Sequence, residues 1–203
     1  MTPVVVRDLA GVAGRPARRL PEIALGRPSL TAAAVVAGSG VGALALSLLS
    51  VWVEPAGAQA AGRAAGVGFS LALPPLFVAF WLADAWIVDA VAQLMGCPSR
   101  RRGYLITSAY AIPTLCLFEA VRVAQAAIDR GGGDAAQAAT AVGFVDFAVL
   151  AWFVTLLTVA VRAVYGLPTL PALAAALSPS AAMATLLLVL LVVGSVLHGA
   201  GVI

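Results

Sequence analysis

Five long apolar runs fill most of this chain, and four acids and one arginine sit well inside them. The runs cover residues 31–53, 67–95, 104–128, 139–165 and 180–202. A helix of about 18 or more apolar residues crosses a bilayer core of roughly 30 Å. In hydrocarbon each backbone amide and carbonyl must be satisfied within the segment, which selects helices over open strands. The expected fold is all-α: a polytopic membrane domain of five transmembrane helices over residues 31–203, behind a basic cytoplasmic arm, residues 1–30, lying partly at the interface.

The 203 residues are 62% hydrophobic and 10% charged, too apolar for the surface-to-volume ratio of a soluble domain. Short connections leave no room for a soluble catalytic module. The net charge of +3 raises nucleic acid as a partner, but all twelve basic residues are arginine. They lack the aromatic interleaving of single-strand binders, so nucleic acid is excluded. Arginines beside membrane spans meet anionic headgroups instead. Cys97 falls in a loop and Cys116 in a span, so no disulfide is expected. The first apolar run begins after thirty residues, too late for a cleaved signal peptide.

Orientation follows from the arginines. Arg7, Arg15, Arg18, Arg19 and Arg27 lie in the arm, Arg100, Arg101 and Arg102 between spans two and three, and Arg162 at the end of span four. An alternating chain collects these on one side and leaves Arg63 and Arg130 on the other. The positive-inside rule then places the amino terminus in the cytoplasm and the carboxyl terminus outside. An odd span count disfavours a two-repeat transporter. Arg18, Arg19, Arg27, Arg100, Arg101 and Arg102 are the expected headgroup contacts. The segment 15–27 is either an interfacial helix or a disordered basic tail. Residues 166–179 are expected as a short interfacial helix before the last span.

Lipid penalises Asp84 and Asp89 in span two, Glu119 and Arg122 in span three, and Asp146 in span four. Glu119 and Arg122 share a helix face, and depth counting brings Asp146 level with Arg122. Arg122 is therefore predicted to bridge Glu119 and Asp146. The cluster reads first as a structural clamp, because arginine keeps its charge, and second as an ion or proton relay. Asp89 is expected to meet Arg100, Arg101 or Arg102 at the interface. Asp84 lies deeper, between Trp81 and Trp86, as a functional or partner-binding group or as a hydrogen-bond partner of Tyr110 or Thr107. Gly38, Gly40 and Gly42 mark a helix-packing seam. Pro74, Pro75 and Pro113 predict kinks. The lone histidine, His198, reads as an interfacial residue and not a metal ligand. There is no phosphate loop, nucleophile elbow, HExxH or CxxC, so no catalytic residue, cofactor or metal is expected.

Several segments carry a family pattern. Arg15-Pro16-Ala17-Arg18-Arg19 through Gly26-Arg27-Pro28 forms an arginine/proline-rich lead-in to span one. Asp89–Leu94, Gly96, the polar loop 97–103 and Tyr104 through Tyr110-Ala111-Ile112-Pro113 make a central signature, and Tyr165-Gly166-Leu167 closes span four. Together these resemble the bacterial members of the Yip1-domain family of five-span membrane proteins. The loop 97–100 departs from that pattern in lacking a second glycine. The resemblance implies a non-enzymatic protein, with Tyr110 and Pro113 joining Asp84 and Asp89 as candidate partner-binding positions.

The expected function is accordingly a non-catalytic protein of the inner (plasma) membrane. It binds membrane lipids and other membrane proteins, or further copies of itself, as a subunit or accessory of a larger complex. The alternative is a permease or channel component using Asp84 and the Glu119, Arg122 and Asp146 cluster.

Overall fold

The computed structural model describes residues 3–53, 60–131 and 135–199. These residues are helical and contain no strand. Two short helices, α1 (Pro3–Gly14) and α2 (Pro16–Gly26), precede α3 (Ser29–Val53) and α4 (Ala60–Leu94). Then come α5 (Arg101–Ser108), a 3-10 turn Ile112–Leu115, α6 (Cys116–Arg130), α7 (Ala135–Tyr165) and α8 (Thr169–Gly199). Four stretches are long and apolar enough to cross a membrane: Ser29–Val53, Ala65–Leu94, Gln137–Tyr165 and Thr169–Val193. The pair Arg101–Ser108 and Ile112–Arg130, bent by 40°, makes a fifth if it counts as one span. Glu54, Gly132 and Gly133 lie outside the described residues, as do the side chains of Arg63 and His198.

The arm is two packed helices, not a tail. Val5, Asp8 and Val12 recur on one face of α1, and Leu20 and Ile23 on one face of α2, all buried. α1 packs on α2, and α2 packs against α5 and α7. The wet-facing charges of α2 stay outside, where Arg18 and Arg19 pair with Glu22.

The α3–α4 contact rests on a stripe of small residues. Val36, Gly40, Ala43 and Ser47 are buried at helical spacing. A Cβ on Gly40 would stand 2.8 Å from the Cα of Pro74, and Ser47 and Ser70 share a 2.9 Å hydrogen bond. The expected seam of Gly38, Gly40 and Gly42 is only partly this one. Residues two apart point to opposite sides of a helix, so Gly38 is exposed, and Gly42 borders Cys116 of α6 loosely, at 4.0 Å. α4 continues as one helix through Pro74 and Pro75.

Pro113 does more than kink the third run. It has no amide hydrogen, and its ring excludes the carbonyl four residues earlier. The chain breaks into turns at Ala109–Ala111, with Tyr110 N–H on the Thr107 carbonyl (3.2 Å) and Ala111 N–H on that of Ser108 (2.9 Å). Trp81 of α4 donates its indole N–H to the Leu105 carbonyl at 3.0 Å, beside the Ala109 amide at 3.4 Å, and so ties α5 to α4.

The last run also differs from expectation. Residues 169–179 and the following span are one helix that runs through Pro171 and Pro179. Ala172, Ala175 and Ala176 bury its first half against α7 and α4, while Met183 through Leu188 are exposed. A small-residue face lets the helix begin inside the bundle, so no separate interfacial segment forms.

The Gly40 contact has a measurable consequence. Gly40→Ala should be less stable than Gly38→Ala by about 1–3 kcal/mol, the cost of overpacking a tight contact. Unfolding midpoints in mixed detergent micelles test this, and equal midpoints for the two variants would contradict the seam.

Candidate functional site

The ends of α4 and α7 are linked through side chains, and each helix stops at a glycine in the left-handed region. Gly96 has φ +85° and Gly166 φ +73°. After α4 the Cys97 amide returns to the Ala92 carbonyl at 3.0 Å and Gly96 to Gln93 at 2.9 Å, closing the helix end and turning the chain into the arginine loop.

Asp89, 3% exposed, is the centre of this end. Its Oδ1 accepts from the Tyr165 hydroxyl at 2.7 Å and from the Arg100 backbone amide at 3.0 Å. Its Oδ2 accepts from the Ser99 hydroxyl at 2.7 Å and from the Gln93 amide at 2.9 Å. One carboxylate thus ties α4, the loop and α7 together. The expectation that Asp89 meets an arginine holds only through the backbone. The guanidinium of Arg100 donates instead to the Val164 carbonyl at 2.8 Å, one of the last carbonyls of α7. Arg101 lies over the Trp86 ring at 3.6 Å. Arg102 is exposed and has no hydrogen bond or ion pair among the described residues.

One and a half turns deeper, Asp84 is 3% exposed and its Oδ2 accepts from the Tyr104 hydroxyl at 2.9 Å. Its Oδ1 has no partner, and neither does the hydroxyl of Ser108 or of Tyr110. Its partner is thus neither Tyr110 nor Thr107. Thr107 bonds back to the Gly103 and Tyr104 carbonyls at 3.1 Å each. Tyr104 and Tyr165 pack ring to ring at 6.3 Å, so the Asp84 and Asp89 sites share one aromatic wall.

Arg122 does not bridge Glu119 and Asp146. It is 63% exposed, stands 4.0 Å from Glu119, and has no ion pair with Asp146 among the described residues. Glu119 Oε2 and Asp146 Oδ1 are buried without partners. Asp146 is half-buried, whereas its neighbours Phe144 and Phe147 are exposed.

A second ionic site lies in the arm. Asp8, 1% exposed, takes two hydrogen bonds from Arg27, at 2.7 and 3.1 Å, and has Arg19 at 3.6 Å. The hydrogen bond to Asp8 is the main cause that raises the Arg27 pKa above its ordinary value, with burial opposing it. Arg27 thus clamps Asp8 within the arm, Arg19 is shared between Asp8 and Glu22, and Arg18 pairs with Glu22 at the surface. Asp8 was legible only as the polar member of the Val5, Asp8, Val12 stripe. Tyr104, Tyr165, Ser99 and Gln93 gave no signal as ligands of carboxylates. Among the described residues no group of three or more His, Cys, Asp or Glu side chains is placed to hold a metal.

Two substitutions test the site. Asp89→Asn replaces an all-acceptor group by one that turns an amide toward donors, and should cost about 2 kcal/mol or more, against about 1 kcal/mol for Tyr165→Phe. Denaturant midpoints in detergent check both; Asp89→Asn at parental stability would contradict the assignment. Asp8→Ala should free the arm, read as faster trypsin cleavage at Arg15 and Arg18 than in the parent.

Comparison with protein-family models, curated proteins and solved structures returned no match, so the function rests on this chain's own chemistry.

Proposed function

We propose that this is a non-catalytic integral membrane protein that binds lipids and other membrane proteins, as a subunit or accessory of a larger assembly. In this reading the bent pair α5–α6 is the third of five spans. The amino terminus is cytoplasmic, the carboxyl terminus is outside, and the Yip1-like segments of the sequence belong to the same picture. The helical lengths are sufficient: α5, the 3-10 turn and α6 together give about 40 Å of rise, more than a roughly 30 Å core.

The observation that carries the reading is the engagement of Asp89 by four donors. A carboxylate so fully bonded is a structural tie, with no lone pair left for a substrate. Three cavities among the described residues have none of Asp84, Asp89, Glu119 or Asp146 in their walls. The orientation is supported by the gathering of the arm, the arginine loop and the end of α7 at one end of the bundle.

A permease reading is favoured by one observation, the unpartnered Oδ1 of the deeply buried Asp84. The two separate cleanly. Proteoliposomes carrying the full chain and a trapped pH-sensitive dye should show no proton flux above empty vesicles, with or without Asp84→Asn. Flux in the parent that Asp84→Asn abolishes would establish the permease instead. Crosslinking in native membrane followed by mild-detergent purification should recover a partner or a self-associated form, and a lone monomer would contradict the subunit reading.

A further inference from the structure

A groove of about 790 Å³ opens between α2, the start of α5 and the end of α7. That is within the range of about 300–1,000 Å³ typical of small-ligand sites. Its walls divide by chemistry. Leu25, Leu105 and Val164 are apolar, and Arg100, Arg101 and Arg102 form one rim. No carboxylate lines it. The nearest acids are committed elsewhere: Glu22 pairs with Arg18 and Arg19, and Asp89 is enclosed by its four donors. Only part of the rim's charge is used within the protein. Arg100 gives a hydrogen bond to the Val164 carbonyl, Arg101 lies on Trp86, and Arg102 is free of partners among the described residues. Leu25, 93% exposed, leaves an apolar flank with no protein cover.

We infer that this groove holds one anionic phospholipid, its phosphate against Arg101 and Arg102 and its acyl chains along Leu25, Leu105 and Val164. The inference deepens the lipid-binding part of the proposed function and rests on it. Two features select this occupant. The three clustered cations need an anion to offset them, and guanidinium groups match phosphate oxygens in geometry. The apolar walls need hydrocarbon, and they lie at the ends of the apolar helices, where a lipid's head meets its chains. An acidic peptide satisfies the rim but leaves its own amides unbonded against those walls. Free phosphate satisfies the rim and ignores the walls.

The test is native mass spectrometry of the full chain released from mild detergent, titrated with dioleoyl phosphatidylglycerol or dioleoyl phosphatidylcholine. The parent should hold one phosphatidylglycerol, preferred over phosphatidylcholine by roughly 25-fold, each of two arginines contributing about fivefold. Arg102→Gln has no internal contact to lose and should weaken phosphatidylglycerol by about fivefold. Arg101→Gln with Arg102→Gln should abolish the preference, as should Leu25→Asp, which sets a carboxylate on the apolar flank. Arg130→Gln, on α6 and outside the groove, should leave it intact. Equal binding of the two lipids by the parent would overturn the site, and so would a preference that survives the double variant. Displacement of the lipid by excess inorganic phosphate would also overturn it, by showing a site for the free anion. The flux and crosslinking measurements on the overall function do not depend on this groove, so either conclusion can fail without the other.

Discussion

A carboxylate inside an apolar helix bundle must be bonded on every side or it destabilises the fold, and Asp89 meets that condition by drawing three chain segments together. Tyr165 arrives from α7, Ser99 and the Arg100 amide from the loop, and Gln93 from its own helix. Hydrogen bonds to a charged group contribute about 1.5–3 kcal/mol each when buried. The terminating glycines serve the same junction. Gly96 turns the loop so that the amide of Arg100 faces back toward α4, and Gly166 lets α7 stop directly after Tyr165. With that end fixed, the arm helices have a surface to dock on and the arginine loop has a defined course.

The long apolar helices were legible from hydropathy alone, because a period of any kind is unnecessary when every face is greasy. α3, α4 and α7 fall close to their expected runs for that reason. The interruptions were less legible. Pro113 announced a disturbance, but whether a helix bends or breaks depends on how the residues before the proline re-bond, and here Ala109–Ala111 close into turns. The separate helix expected over 166–179 is instead continuous with the last span, since α8 runs on through Pro179. The arm was ambiguous because its apolar residues are interspersed with arginine, proline and glycine. Only the surface offered by α5 and α7 makes Leu20 and Ile23 a docking stripe.

The polar positions show the same division. That Asp84 and Asp89 are buried and bonded followed from the cost of a charge in lipid. Their partners did not, because tyrosines at residues 104 and 165 are separated from them in sequence by 20 and 76 positions. The proposed Arg122 bridge failed for a geometric reason. Equal depth along two rods does not fix their rotation, and the exposed Arg122 comes within 4.0 Å of Glu119 alone. The seam glycines failed in part for a similar reason, since alternate residues cannot share one helical face.

The account depends on the bent pair α5–α6 crossing the bilayer, because that crossing separates the arginine loop from the end of α6. Thiol labelling tests it most directly. In a chain carrying Cys97→Ser and Cys116→Ser, a single cysteine is introduced by Ser99→Cys or by Arg130→Cys, and a membrane-impermeant maleimide is applied to intact and to broken cells. The account predicts that residue 130 labels in intact cells and residue 99 only after breakage. Labelling of both from the same side would contradict it, and would make α5–α6 a re-entrant loop in a bundle of four spans.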